Sequence, residues 1–305
     1  MLTVSLPDQD WLDDVGPLDG VDAVVWDPAT EPPRDPVDVF VAPYMARPET
    51  FDVLDAQPSV RLAQVLSAGY DGVVERLPEG VALANAKGVH DAATAELAVA
   101  LVLASRRGFD DFAAAQAKGV WDQGGFRPGL ADARVLLLGY GSVGRAIARR
   151  LAPFEVGLTA VASRARDGDD LVDRVHGIDE LLDLVGDHDV VVSVLPSTDA
   201  TTGILGEQVL GAMRDGALLV NVGRGTALDT DAALRHAGRI RLALDVTDPE
   251  PLPDGHPLWS APGVIVSPHV GGRTDAFRPR AVALLREQLG RLARGEDPIN
   301  VVHDG

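Results

Sequence analysis

Gly139-Tyr140-Gly141-Ser142-Val143-Gly144 follows the apolar run Val135-Leu136-Leu137-Leu138 directly and precedes a helical stretch, Arg145 to Leu151. An unbroken apolar run of this length reads as a strand buried on both faces, which belongs to a parallel sheet covered by helices. The glycines permit a tight strand-to-helix turn, and Ala148 suits close packing of that helix on the sheet. The helix N-terminus offers N–H donors and a positive dipole end to a pyrophosphate. The segment therefore predicts a dinucleotide site made by Gly139, Tyr140, Gly141, Ser142, Val143 and Gly144. The bland alternative is a tight turn with no ligand.

The rhythm around this segment is that of an α/β chain. Arg134 to Leu138, Leu158 to Ala162, Val190 to Leu195, Ala217 to Val222, Leu242 to Val246 and Val264 to Ser267 read as strands, with helical stretches between the earlier ones. That is the pattern of a doubly wound parallel sheet. The first hundred residues carry another set, Val21 to Trp26, Val37 to Ala42, Arg61 to Leu66 and Val81 to Ala84, consistent with a smaller α/β domain. From Ala92 to Ala117 a long helix free of proline is expected, suited to connect two domains or to serve as an ordinary core helix. A last helix is expected from about Arg278 to Arg294. A chain of 305 residues suffices for two domains.

Composition removes several classes of function. The formal charge is −19, whereas nucleic-acid binding needs a basic face, and an anionic membrane surface is disfavoured for the same reason. Lys87 and Lys118 are the only lysines among 27 basic residues, as expected from codon bias with an acidic surface or, alternatively, from adaptation to salt. The absence of cysteine excludes disulfides and thiolate chemistry, and no metal site is expected. No apolar run approaches the roughly 20 residues that span a bilayer, and the N-terminus lacks a basic leader, so the expected location is the cytoplasm.

Three groups lie beyond successive strand-like runs. Arg224 stands in Asn221-Val222-Gly223-Arg224-Gly225, flanked by glycines that leave room for a ligand; its fork suits a carboxylate and a neighbouring carbonyl. Glu250 lies between Pro249 and Pro251, where a plain solvated carboxylate is the alternative. His269 follows Pro268 in a glycine-flanked loop, on the side where doubly wound sheets bind ligands. A carboxylate beside an imidazole orients it and favours its proton-donating form. The other six histidines, His90, His176, His188, His236, His256 and His303, read as incidental.

Beyond the second strand, Ser163, Arg164 and Arg166 suit a 2′-phosphate, so NADP(H) is favoured over NAD(H); nearby Asp167 keeps the alternative open. Leu195 and Pro196 complete the expected cofactor contacts. In the first domain, Ser67-Ala68-Gly69-Tyr70-Asp71 can offer backbone amides to a carboxylate or form a simple turn. Tyr44 and Met45 suit a pocket wall, the surface or the core equally.

These segments resemble the D-isomer-specific 2-hydroxyacid dehydrogenase family, above all Val220-Asn221-Val222-Gly223-Arg224-Gly225, Leu244-Asp245-Val246, Glu250-Pro251-Leu252-Pro253, His256-Pro257-Leu258-Trp259 and Pro268-His269. The resemblance implies two domains: a Rossmann sheet, residues 103–281, inserted in a flavodoxin-like substrate domain made of 1–102 and 282–305. It implies that Arg224 binds substrate, that His269 is the acid/base contacting both substrate and cofactor, and that Glu250 is its partner. Asp245 would contact the nicotinamide carboxamide, Ala68 and Gly69 would hold the substrate carboxylate, and two copies would form a homodimer.

The arginine-bearing segment, with Pro257-Leu258-Trp259, looks most like the glyoxylate/hydroxypyruvate reductase branch. Reduction of a small 2-oxo acid to a D-2-hydroxy acid is the expected activity. Formate or phosphite oxidation on the same frame and a non-catalytic nucleotide-sensing corepressor are the alternatives. Thr247 and Glu155 depart from the family, which commonly has an aromatic and a glycine at these places.

Overall fold

The computed structural model describes residues 1–305. The chain forms β1 (Leu2–Leu6), α1 (Gln9–Val15), β2 (Val21–Val25), β3 (Val39–Val41), β4 (Leu62–Gln64) and β5 (Ala82–Ala84), then α2 (Asp91–Arg107) and α3 (Phe109–Ala117). There follow β6 (Arg134–Leu138), α4 (Ser142–Leu151), β7 (Gly157–Ala162), β8 (Arg166–Asp167), β9 (Arg174–Gly177), α5 (Leu181–Val185) and β10 (Val190–Ser193). The remainder comprises α6 (Glu207–Ala212), β11 (Leu218–Asn221), α7 (Thr230–His236), β12 (Arg241–Leu244), β13 (Val264–Val266), α8 (Phe277–Ala293) and β14 (Val301–His303).

Two compact units result. Met1–His90 with Asp275–Gly305 form one, and Asp91–Thr274 the other. The joints thus fall at His90/Asp91 and Thr274/Asp275, against the sequence expectation of 102/103 and 281/282. The reason lies in α2, whose Ala95, Ala98, Leu101 and Val102 are buried in a core shared with Leu137, Ile147 and Val220 of the second unit.

The first unit holds a six-stranded sheet in the order β14-β5-β4-β3-β1-β2, parallel except for β14. Without β14 this is the flavodoxin-like order. The second unit holds an eight-stranded sheet, β13-β12-β11-β10-β6-β7-β9-β8, parallel except for the two-residue β8. Its strand order reverses between β6 and β10, the switch point of a doubly wound fold. Along β6 the side chains alternate as the strand period requires. Val135 and Leu137 enter one core, Leu136 and Leu138 the other, which explains the unbroken apolar run.

The long helix expected from Ala92 to Ala117 is two helices. Gly108 adopts a left-handed backbone, φ 70°, and its N–H caps the preceding turn at the carbonyl of Ser105. The sequence reading also omitted β1, β8, β9 and β14; β1 carries the polar Thr3 and Ser5, which blur its apolar signature. Glu155 occupies a left-handed position, φ 61°, where a residue without Cβ is less strained. No helix of the chain is long and apolar enough to cross a membrane.

Candidate active site

The loops singled out in the sequence leave the C-terminal edge of the second sheet strand by strand. Gly139–Gly144 follows β6, Leu195 and Pro196 follow β10, Arg224 follows β11, Asp245 and Glu250 follow β12, and His269 follows β13. Since β11, β12 and β13 are hydrogen-bonded neighbours in parallel, Arg224, Glu250 and His269 come from three adjacent strand ends.

The glycine loop is built by close approach. Gly139 has φ 101°, and a Cβ there would stand 2.8 Å from the carbonyl oxygen of Val194. A Cβ at Gly144 would come within 2.1 Å of the carbonyl oxygen of Gly139, so strand and helix touch backbone to backbone. Gly141 differs: no atom lies within 4 Å of its added Cβ, and it caps α4 without a side-chain hydrogen bond. The first-turn amides of α4 therefore open onto free space with the donors that an anion needs. These residues fit the pyrophosphate of a dinucleotide. Beside them, Ser142 Oγ donates to Asp91 Oδ1 at 3.2 Å.

Tyr140 turns inward. Its ring is buried, and its hydroxyl donates to Asp169 Oδ1 at 3.0 Å. Burial, reinforced by this carboxylate, pushes the phenol up to about 12, so it stays a donor. Burial acts to raise the Asp169 carboxyl, yet it lies below its ordinary range. The Leu171 N–H, the Tyr140 hydroxyl, the Val172 N–H and the Arg145 guanidinium outweigh that effect. Asp169 and Arg145 were missed in the sequence, because their contact joins helix α4 to the loop between β8 and β9. Arg166 donates to the carbonyl of Tyr140 at 2.7 Å, whereas Ser163 and Arg164 are exposed beyond β7.

The Arg224 loop is clamped by Asn221, whose Nδ2 donates to the Arg224 carbonyl at 2.9 Å and whose Oδ1 accepts the Gly223 N–H at 3.1 Å. The guanidinium donates to the Gly223 carbonyl at 2.9 Å. The flanking glycines do not leave room for a ligand as expected; they let the loop press against its neighbours. A Cβ at Gly223 would lie 2.6 Å from the backbone of Leu195, and one at Gly225 would lie 1.9 Å from the Thr247 carbonyl oxygen.

His269 and Glu250 meet. Nδ1 of His269 lies 2.5 Å from Oε1 of Glu250, with both side chains partly exposed. An ionised carboxylate only accepts, so Nδ1 carries the shared proton and Nε2 is the nitrogen left to face a reactant. His269 has φ 51°, a conformation that costs an L-residue roughly 1–2 kcal/mol. Asp245 holds it there. The Asp245 carbonyl accepts the His269 N–H at 2.8 Å. Its buried carboxylate accepts the Ser267 hydroxyl at 2.7 Å, the Val270 N–H at 3.0 Å and the Gly271 N–H at 2.9 Å.

In the first unit, Ala68 and Gly69 lie half-buried in the loop after β4. Asn85 Nδ2 donates to the Ala68 carbonyl at 2.8 Å, and Ser67 Oγ donates to the Gly69 carbonyl at 2.6 Å. Tyr44 is half-buried against the core of that unit, its ring 4.1 Å from that of Phe277 between centroids. Met45 is exposed.

Comparison with known proteins is consistent with this arrangement. The NAD-binding domain of the D-isomer specific 2-hydroxyacid dehydrogenases matches residues 99–271, more than half of the chain. The chain belongs to this family. A glyoxylate reductase of Thermofilum pendens is 30% identical over 263 residues, covering 83% of this chain and 77% of that protein. The human glyoxylate reductase/hydroxypyruvate reductase is 29% identical over 256 residues, 80% of this chain and 77% of that protein. A D-isomer specific 2-hydroxyacid dehydrogenase of Xanthobacter autotrophicus, solved with NADPH and MES, superposes with a TM-score of 0.81 at 27% identity, covering 99% of this chain and 98% of that one. The protein is thus an NAD(P)-dependent oxidoreductase of the 2-hydroxyacid dehydrogenase family.

Gly144→Ala is expected to weaken dinucleotide binding by tenfold or more, because the 2.1 Å approach forces strand and helix apart at the anion cradle. Titration of nicotinamide fluorescence measures it; wild-type affinity would contradict the assignment of this loop.

Proposed function

We propose that this dehydrogenase reduces a small 2-oxo acid of the glyoxylate or hydroxypyruvate type, yielding the D-2-hydroxy acid where the product is chiral. The observation that carries the reading is the 2.5 Å contact of His269 Nδ1 with Glu250, on the same sheet edge as Arg224 and the dinucleotide loop. Relatives named glyoxylate reductase support the substrate class. Hydride is the chemistry that a reduced nicotinamide supplies when bound. His269 Nε2–H gives its proton to the carbonyl oxygen as the carbonyl carbon gains the hydride, and the imidazolium becomes neutral imidazole. Arg224 binds the substrate carboxylate and offsets the negative charge that develops on that oxygen. Glu250 keeps the ring oriented.

The expected outcome of His269→Asn is a kcat lower by about 10²–10⁴-fold, the usual contribution of a positioned general acid. Oxidation of NADPH followed at 340 nm with glyoxylate and hydroxypyruvate reads it. Near-wild-type turnover of the variant would falsify the mechanism. Nicotinamide binding with no turnover of any 2-oxo acid would point instead to a sensing protein.

The cofactor reading favours NADP(H), with Arg164 as the principal ligand of the 2′-phosphate. Arg166 already donates to the Tyr140 carbonyl, whereas the exposed Arg164 guanidinium has no hydrogen bond or ion pair. Charge-assisted bonds contribute about 1.5–3 kcal/mol, so Arg164→Ser is expected to raise KM for NADPH roughly 10–100-fold and leave that for NADH nearly unchanged. Equal effects on both cofactors would refute this role.

A homodimer is the assembly proposed. Phe109, Trp121 and Phe126 of the segment after α2 are 59%, 90% and 109% exposed, and such side chains gain by burial against a second copy. Light scattering is expected to give twice the chain mass, and Trp121→Glu with Phe126→Glu to give monomer. A monomeric wild type refutes it.

A further inference from the structure

The segment that carries Glu250 is unusually poor in backbone support. Residues 248–251 are exposed, take part in no backbone–backbone hydrogen bond, and include Pro249 and Pro251, which have no N–H to give. An exposed loop of this kind would ordinarily sample many positions. A general acid nevertheless needs its orienting carboxylate held to within a few tenths of an ångström.

Two hydroxyl groups supply the missing support. Thr230 Oγ1, in the first turn of α7, donates to the carbonyl of Asp248 at 2.8 Å. Thr247 Oγ1 donates to the carbonyl of Pro249 at 2.9 Å. The second bond matters more for the chemistry, because the Pro249 carbonyl belongs to the peptide unit from which Glu250 projects. Fixing that plane fixes the direction in which the Glu250 side chain leaves the backbone. Thr247 itself is firmly anchored, being 8% exposed at the end of the buried run that begins in β12. Its own carbonyl oxygen abuts Gly225, beside Arg224, so closely that a Cβ there would stand at 1.9 Å. One residue thus braces the Arg224 loop through its backbone and the Glu250 loop through its side chain.

We propose that Thr247 is a positioning residue. Its hydroxyl, bonded to the Pro249 carbonyl, holds the Glu250 carboxylate on Nδ1 of His269 and sets the loops of Glu250 and Arg224 in register. The proposal rests on the reading of Glu250 and His269 given above. It does not require Thr247 to touch substrate or cofactor.

The test uses the full-length protein with Thr247→Val, which removes the hydroxyl but keeps the branched side chain, and Thr247→Ser, which retains the hydroxyl. The first readout needs no turnover. The imidazole Nδ1–H resonance of His269 in ¹⁵N-labelled protein, assigned by its loss in His269→Asn, reports the contact with Glu250. It is expected to broaden or shift in Thr247→Val and to return to the wild-type position in Thr247→Ser. The second readout is kinetic. One lost hydrogen bond corresponds to about 2–12-fold. A kcat decrease of that size is expected in Thr247→Val, with NADPH affinity and Tm unchanged, rescue by Thr247→Ser, and no further decrease when Thr247→Val is added to Glu250→Gln.

An unchanged His269 signal in Thr247→Val overturns the proposal. So does an equal loss in the valine and serine variants, or full additivity with Glu250→Gln. Wild-type turnover of Glu250→Gln together with a perturbed His269 signal in Thr247→Val has a different meaning: the positioning stands, and the acid–base reading falls.

Discussion

Parallel strands can be joined only by a segment that returns the chain to its starting edge, so every strand of such a sheet delivers its following loop to the same side. The remainder of this site depends on that constraint. In the second unit β6, β10, β11, β12 and β13 all end at one edge, and the loops beyond them carry the glycine cradle, Leu195, Arg224, Asp245 with Glu250, and His269. Residues far apart in the chain become neighbours because adjacent strands lie only about 4.8 Å apart. The hydrophobic runs that make these strands bury both faces of the sheet, so the edge that displays polar chemistry is also the rim of the unit's buried core.

A histidine beside a glutamate is not in itself an active site. The structure contains three such pairs, His176 with Glu180, His236 with Glu207 and His269 with Glu250. In the first, Glu180 also receives Arg174 and the Gly177 N–H. In the second, Arg239 donates to Nδ1 of His236, so both ring nitrogens are engaged. These pairs staple surface elements. His269 differs through its left-handed backbone, enforced by Asp245, which accepts one N–H on its carbonyl and two more on its carboxylate. A strained conformation secured by a buried carboxylate is a common mark of a residue placed for function.

Electrostatics follow the same edge. A chain of charge −19 repels anions at long range, so an anionic cofactor and a carboxylate substrate need local attraction. In the proposed reading the uncapped N-terminus of α4, the Arg224 fork and the exposed Arg164 supply it, all beyond strands of one sheet. Asp169, the carboxylate beside the dinucleotide loop, is neutralised by Arg145 and bound by Tyr140, which limits its repulsion of a phosphate.

By itself the sequence determined the α/β class, the dinucleotide loop and three polar groups that end up at one sheet edge. Each of these is written in local pattern: Val135 to Gly144 as strand and turn, Arg224 between glycines, His269 past a short apolar run. Local pattern also erred where a single backbone angle intervened, as at Gly108, or where a strand carried polar residues, as in β1. Tertiary structure alone decided that three of the seven histidines have their rings on a glutamate, that Gly223 and Gly225 serve packing, and that Tyr140 points inward to Asp169. It alone showed the Thr247 hydroxyl on the Pro249 carbonyl. The physical reason is common to all four. Hydrogen bonds and van der Waals contacts act over a few ångströms of space, and the chain brings distant residues within that range only after its strands have paired.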